Sequence, residues 1–87
     1  MAISSNQVQI GTTPSIIFPA DVDGARVELK NIGANVGYLG NATVTHTSGY
    51  NLVVDESIFL FVGPNEPVYG ITESDRTTIA YIATLNQ

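Results

Sequence analysis

The side chains able to do chemistry are few and scattered. Across 87 residues there are eight carboxylates, three cationic side chains and a single histidine, with no cysteine and no tryptophan. Asp55-Glu56 and the pair Glu73/Asp75 could in principle supply two carboxylates to one site. Glycoside chemistry needs two such groups flanking one bond. Neighbouring residues of a strand point to opposite faces, so Asp55 and Glu56 would not act together. Few aromatics are present to floor a sugar cleft, and no catalytic residue is assigned. Asp21, Asp23 and Gly24 match the start of a calcium loop, but the further oxygen ligands and the closing bidentate Glu are missing at the right spacing. A solvated turn accounts for them better. One imidazole and no thiolate exclude an ordinary zinc site within one chain. No metal and no cofactor is expected.

The remaining features read the same way. His46 sits among threonines with no acidic or serine neighbour. It is read as a surface or strand residue, with a pH-sensing place at a subunit seam as the alternative. Asn41-Ala42-Thr43 matches a glycosylation sequon and is read as a polar turn. Gly63-Pro64-Asn65-Glu66-Pro67 is a rigid surface loop or a contact tip. Tyr38, Tyr50, Tyr69 and Tyr81 each offer apolar area with a polar tip, suited to a core edge or to a protein interface.

Composition narrows the classes further. The chain is one domain in size, and a chain this short buries a modest fraction of its unfolded surface. Without disulfides or a metal, self-association or docking on a larger assembly is the common remaining source of stability. The formal charge of −5 speaks against nucleic acid, which needs clustered Lys and Arg. No apolar run nears the roughly 20 residues of a membrane-spanning helix. Met1-Ala2-Ile3-Ser4-Ser5 lacks the basic and apolar regions of a secretory leader, so synthesis in a cytoplasm and a soluble product are expected.

Short apolar runs alternate with turn-forming residues along the whole chain. Residues 1–6 read as a flexible or extended segment. Strands follow at Val8–Ile10 and Ser15–Phe18, the latter stopped by Pro19. Asp21–Gly24 is a tight reversal. Arg26–Asn31 shows the cleanest alternation, with Val27 and Leu29 inward and Arg26, Glu28 and Lys30 in water. Further strands are expected at Val36–Leu39, in the Thr-rich stretch Ala42–Thr47, and at Tyr50–Val54. Ser57–Val62 is the most apolar run, covered on both faces or meeting another subunit on one. Val68–Ile71 and Thr77–Leu85 complete the set. In the last of these, Ile79, Tyr81, Ala83 and Leu85 share one face, and Ala80 and Ile82 the other. The pattern is an all-β, single-domain antiparallel sandwich or barrel of about eight short strands. The expected core is Val27, Leu29, Leu39, Leu52, Ile58, Leu60, Ile71, Ile79 and Tyr81.

One layout covers residues 8–85. It runs Val8-x-Ile10-Gly11-Thr12-Thr13-Pro14, then Arg26-Val27-Glu28-Leu29-Lys30-Asn31-x-Gly33, then Tyr38-Leu39-Gly40, Val44, Ser48-Gly49-Tyr50-x-Leu52 and Val68-Tyr69-Gly70-Ile71. This order of short motifs resembles small all-β structural proteins encoded among the head genes of tailed bacteriophages. Gly37 before Tyr38 departs from that pattern, where a β-branched residue is commoner. The Phe59-Leu60-Phe61 run is more apolar than usual, which hints at a larger partner contact. The resemblance implies a capsid decoration (cement) protein on the outside of a phage head, with the major capsid protein as partner. Local threefold junctions on capsids make a homotrimer the favoured oligomer. The interaction residues expected from apolarity and position are Val8, Ile10, Phe59, Phe61 and Tyr69. The alternative is a receptor- or glycan-binding module of a tail or fibre, using the loops around Tyr50 or Pro64–Pro67.

Overall fold

A computed structural model describes residues 2–85. The strands are β1 (Ala2–Ile10), β2 (Ser15–Phe18), β3 (Ala25–Asn31), β4 (Gly37–Gly40), β5 (Tyr50–Leu52), β6 (Ser57–Val62), β7 (Val68–Ile71) and β8 (Thr77–Leu85). They form two four-stranded sheets, ordered β1-β8-β3-β6 and β2-β7-β4-β5. Every pairing is antiparallel. The two sheets pack face to face as a sandwich, which decides between the sandwich and barrel expected from the sequence.

Alternation sets the layers. In β3 the residues Ala25, Val27, Leu29 and Asn31 are fully buried while Arg26 and Lys30 are exposed. In β8, Thr77, Ile79, Tyr81 and Ala83 are buried and Ile82 faces out. Period-2 patterning makes one face of each sheet core and the other solvent. β2 breaks the rule for a physical reason. Ile16 pairs with Tyr69 and Phe18 with Val68, so a bulge separates them. The extra residue aims both Ile17 and Phe18 into the core. There the Phe18 ring meets Tyr81 edge-on, with centroids 5.4 Å apart.

Several expectations are corrected. Residues 2–6, read as a flexible or extended segment, take the extended alternative: they are the first part of β1 and pair with Tyr81–Leu85 of β8. Backbone pairing needs no apolar side chain, so the polar sequence hid the strand. Ala42–Thr47 is a run of turns rather than a strand. Its side chains bond locally instead of leaving the backbone to a ladder. Asn41 Oδ1 accepts from the Thr43 backbone N–H at 3.0 Å, and Ser48 Oγ accepts from the Thr45 N–H at 3.0 Å. Of the expected core, Val27, Leu29, Leu39, Leu52, Ile71, Ile79 and Tyr81 are buried. Ile58 and Leu60 are only partly so.

One buried polar side chain ties the layers together. Asn31 is fully buried. Its Nδ2 donates to Leu52 O at 2.9 Å and to Asn35 O at 2.8 Å. Its Oδ1 accepts from Thr77 Oγ1 at 2.8 Å and from the Gly33 N–H at 3.0 Å. The side chain thus joins the end of β3 to β5, to β8 and to the β3–β4 connection. Among the described residues, no buried side-chain nitrogen or oxygen lacks a partner.

Candidate interaction surface

The reactive groups do not converge. The Asp21 carboxylate accepts the Asp23 backbone N–H at 3.0 Å, and the Asp21 carbonyl accepts from Gly24 at 3.2 Å. Gly24 sits at φ +79°, a conformation glycine adopts without strain. The candidate calcium loop is therefore a self-satisfied turn. Glu56 Oε1 accepts the Val53 N–H and Glu66 Oε1 the Gly63 N–H, so each closes its own loop. Glu73 and Asp75 are exposed in the β7–β8 turn. His46 is exposed in a turn, its ring 6.2 Å from that of Tyr38. Among the described residues, no three His, Asp or Glu side chains gather to hold a metal ion.

Strand register builds a different kind of site on the outer face of the β1-β8-β3-β6 sheet. Its side chains lie in cross-strand rows. One row runs Phe61, Arg26, Thr84, Ile3, and the next runs Phe59, Glu28, Ile82, Ser5. A third runs Ser57, Lys30, Ala80, Gln7. Four large apolar side chains in these rows stand in solvent: Phe61 is 81% exposed, Ile3 75%, Phe59 55% and Ile82 49%. The Arg26 guanidinium carbon lies 5.0 Å from the Phe59 ring centre and 5.9 Å from that of Phe61. The cation lies close to both rings and holds the aromatic pair against β3. At an exposed site such stacking contributes about 0.5–1 kcal/mol. Arg26→Ala is expected to lower stability by no more than about 1 kcal/mol by urea unfolding, because the rings and the β3–β6 ladder remain.

The charges are also sorted. Glu28 is the one carboxylate on this face; Asp21, Asp23, Asp55, Glu56, Glu66, Glu73 and Asp75 all lie in the connections between strands. Two of the three cations, Arg26 and Lys30, stand beside Glu28 on β3. An acidic protein thus presents a broad mixed face, with four exposed large apolar side chains set among polar ones and a slight excess of positive charge. Large apolar patches rimmed by polar residues mark interaction sites.

The expected interaction residues divide. Phe59 and Phe61 lie on this face. Ile10 does not: it is fully buried in the core between the sheets, which corrects its placement as a contact. Val8 points to the same inner side and is partly buried against the core. Both follow the inward phase of β1, opposite Gln7 and Gln9, which face out. Tyr69 is half-buried in β7, across from Ile16 and Gly40 in the other sheet, so it does not join the phenylalanines. Ile3 and Ile82 were not singled out. Their alternation was visible in the sequence, but only the β1–β8–β3 register sets them beside Glu28 and Arg26.

A second apolar feature lies between the sheets at the β6 side. A groove of about 240 Å³ opens there, lined by Leu39, Gly40, Tyr50, Ile58, Leu60 and Val68. Comparison of the chain with protein-family models and with curated proteins found no match.

Proposed function

We propose that this chain is a non-enzymatic virion protein, a decoration protein. It binds the outside of a phage head through the outer face of the β1-β8-β3-β6 sheet and stabilises the shell. Made in the host cytoplasm, it would join the capsid surface with the major capsid protein as partner. The observation that carries the reading is the open apolar face of Phe59, Phe61, Ile82 and Ile3 on a stiff two-layer scaffold. The sequence resemblance to phage head proteins supplies the partner. Docking a preorganised sheet loses little conformational entropy on binding. Repeated capsid sites add avidity when the protein is multivalent. The slight positive charge of the face suits a mildly acidic docking surface and favours encounter with it.

Co-sedimentation with undecorated capsids tests this. The wild-type chain is expected to pellet with the shells at saturable stoichiometry. Ile82 lies near the middle of the face, and Ile82→Gln would place an unpaired amide in the contact. That is expected to weaken capsid binding by about tenfold to a hundredfold, or roughly 1.4–3 kcal/mol. Its thermal unfolding should stay close to wild type, since the side chain touches solvent. A wild-type chain that ignores capsids but binds host cells or glycans would overturn the reading in favour of a receptor-binding module.

A further inference from the structure

The two sheets treat their edges differently. In the second sheet β2 lies between Pro14 and Pro19 and carries a bulge, and β5 is three residues long. Both are common ways of preventing an edge from pairing with another chain. In the first sheet, β1 has a partial guard, because Asn6 Oδ1 takes the Gln7 backbone N–H at 2.8 Å. β6 has none. Its sequence Ser-Ile-Phe-Leu-Phe-Val holds no charge, no proline and no glycine, and its register with β3 is unbroken.

The free backbone groups of β6 can be assigned. Asn31 N–H donates to Glu56 O, and Asp55 N–H donates to Asn31 O, so the Asn31 backbone faces β6. Alternation along β3 gives Leu29 and Val27 the same facing. Their partners Ile58 and Leu60 therefore spend their N–H and C=O groups on β3. Ser57, Phe59 and Phe61 aim theirs outward, and the last two of these carry the exposed aromatic side chains. The core is also unfinished behind this edge. Ala25, Val27 and Leu29 of β3 are fully buried, whereas the inward residues of β6, Ile58, Leu60 and Val62, are only partly covered.

We infer that β6 pairs with β6 of a second copy, antiparallel across a twofold axis, joining the two four-stranded sheets into one. Placing Leu60 opposite Leu60 of the second copy sets Phe59 opposite Phe61 and Ile58 opposite Val62. The outward-facing N–H and C=O groups of Phe59 and Phe61 then meet as hydrogen-bonded pairs. Inward, the two leucines close the mouths of the apolar grooves. Outward, the four phenylalanines form one band flanked by two Arg26 side chains. Charge favours this occupant. In the same register Asp55 and Glu56 fall beyond the strand, level with Asn65 and Pro64, so no acid faces acid despite the −5 charge of each chain. A stack of two outer faces would instead oppose their excess cations. The seam also doubles the proposed docking face and keeps it on one side, as bivalent attachment requires.

The test is the mass of the purified chain in solution, without capsids. Light scattering should give twice the 9.2 kDa chain mass. Phe61→Lys puts a charge at the seam on a side chain that is solvent-exposed in the single chain. It is expected to raise the dimer dissociation constant about a hundredfold or more with an unchanged circular dichroism spectrum. The chain has no cysteine of its own, so single replacements report the register. Leu60→Cys should form a covalent dimer under mild oxidation, because non-hydrogen-bonded antiparallel partners come within disulfide reach. Phe59→Cys should do so far less. A wild-type monomer, a trimer, or a Phe61→Lys variant that remains dimeric would overturn the seam. A dimer that fails to bind capsids would leave the seam standing and remove the decoration reading instead.

Discussion

Replacing Asn31 with alanine is expected to remove about 3–5 kcal/mol of stability, a large part of what a domain of this size holds. Asn31 makes four side-chain hydrogen bonds with no exposure to solvent. Alanine deletes the donors to Leu52 O and Asn35 O and the acceptor for Thr77 Oγ1 and Gly33 N. Groups that lose their partners away from water each cost about 1–3 kcal/mol. Some of them lie near loops and will recruit water, which keeps the total below the simple sum. The loss is also topological, since β5 is short and Asn31 is one of its few ties to β3. The checks are the urea midpoint and the melting temperature, with a fall of at least about 15 °C expected for a domain this small. A variant within about 1 kcal/mol of wild type would show that the network is not what holds β5 in place.

Gly33→Ala should be comparably damaging, by about 3 kcal/mol or more, through a different cause. A Cβ built there would lie 2.1 Å from Thr77 Oγ1, 2.5 Å from the Thr78 nitrogen and 2.9 Å from the Thr77 Cα. Two of these atoms are backbone of β8, held in the ladder with β3 and β1. The crossing can only relax by pulling the chain off β8, which also breaks the Ile32 N–H bond to Thr78 O at 2.9 Å. Overpacking of this kind exceeds the usual core range when backbone rather than a rotamer must move. Thr77→Ala in the Gly33→Ala background should restore little, because the backbone contacts remain. Gly11→Ala is the control: its nearest neighbour would be Arg76 Cγ at 4.0 Å, and stability should stay within about 0.5 kcal/mol of wild type. Full rescue by the Thr77 change would place the clash in the hydroxyl and refute the backbone argument.

Legibility in the sequence tracked how local each cause was. The alternation in Arg26–Asn31 identified β3 and its buried face, because each residue's facing follows from its neighbours. Pro14, Pro19, Gly24 and Gly63-Pro64 marked turns for the same reason. Ala42–Thr47 misled because β-favouring threonines next to Asn41 and Ser48 also bond the backbone of a turn, and composition does not separate the two uses. Ile17 and Phe18 both reach the core only through the β2 bulge, which depends on pairing with β7. Ile10 read as a contact because a short run of Val and Ile looks alike whether it faces a core or a partner. Asn31 stood in the motif Asn-x-Gly, yet its partners lie as far off as Leu52 and Thr77.

Residue type and period-2 spacing alone were enough for an all-β chain with most of its turns placed, its carboxylates confined largely to loops, and an unusually apolar run at Ser57–Val62. Both act over a few residues. The tertiary structure alone decided that this run is an unguarded edge, that Phe59 and Phe61 share a face with Ile3 and Ile82, and that Tyr69 and Ile10 do not. Those are facts of register and strand order, set when segments far apart in the chain pair, and a one-residue shift would have reversed every facing.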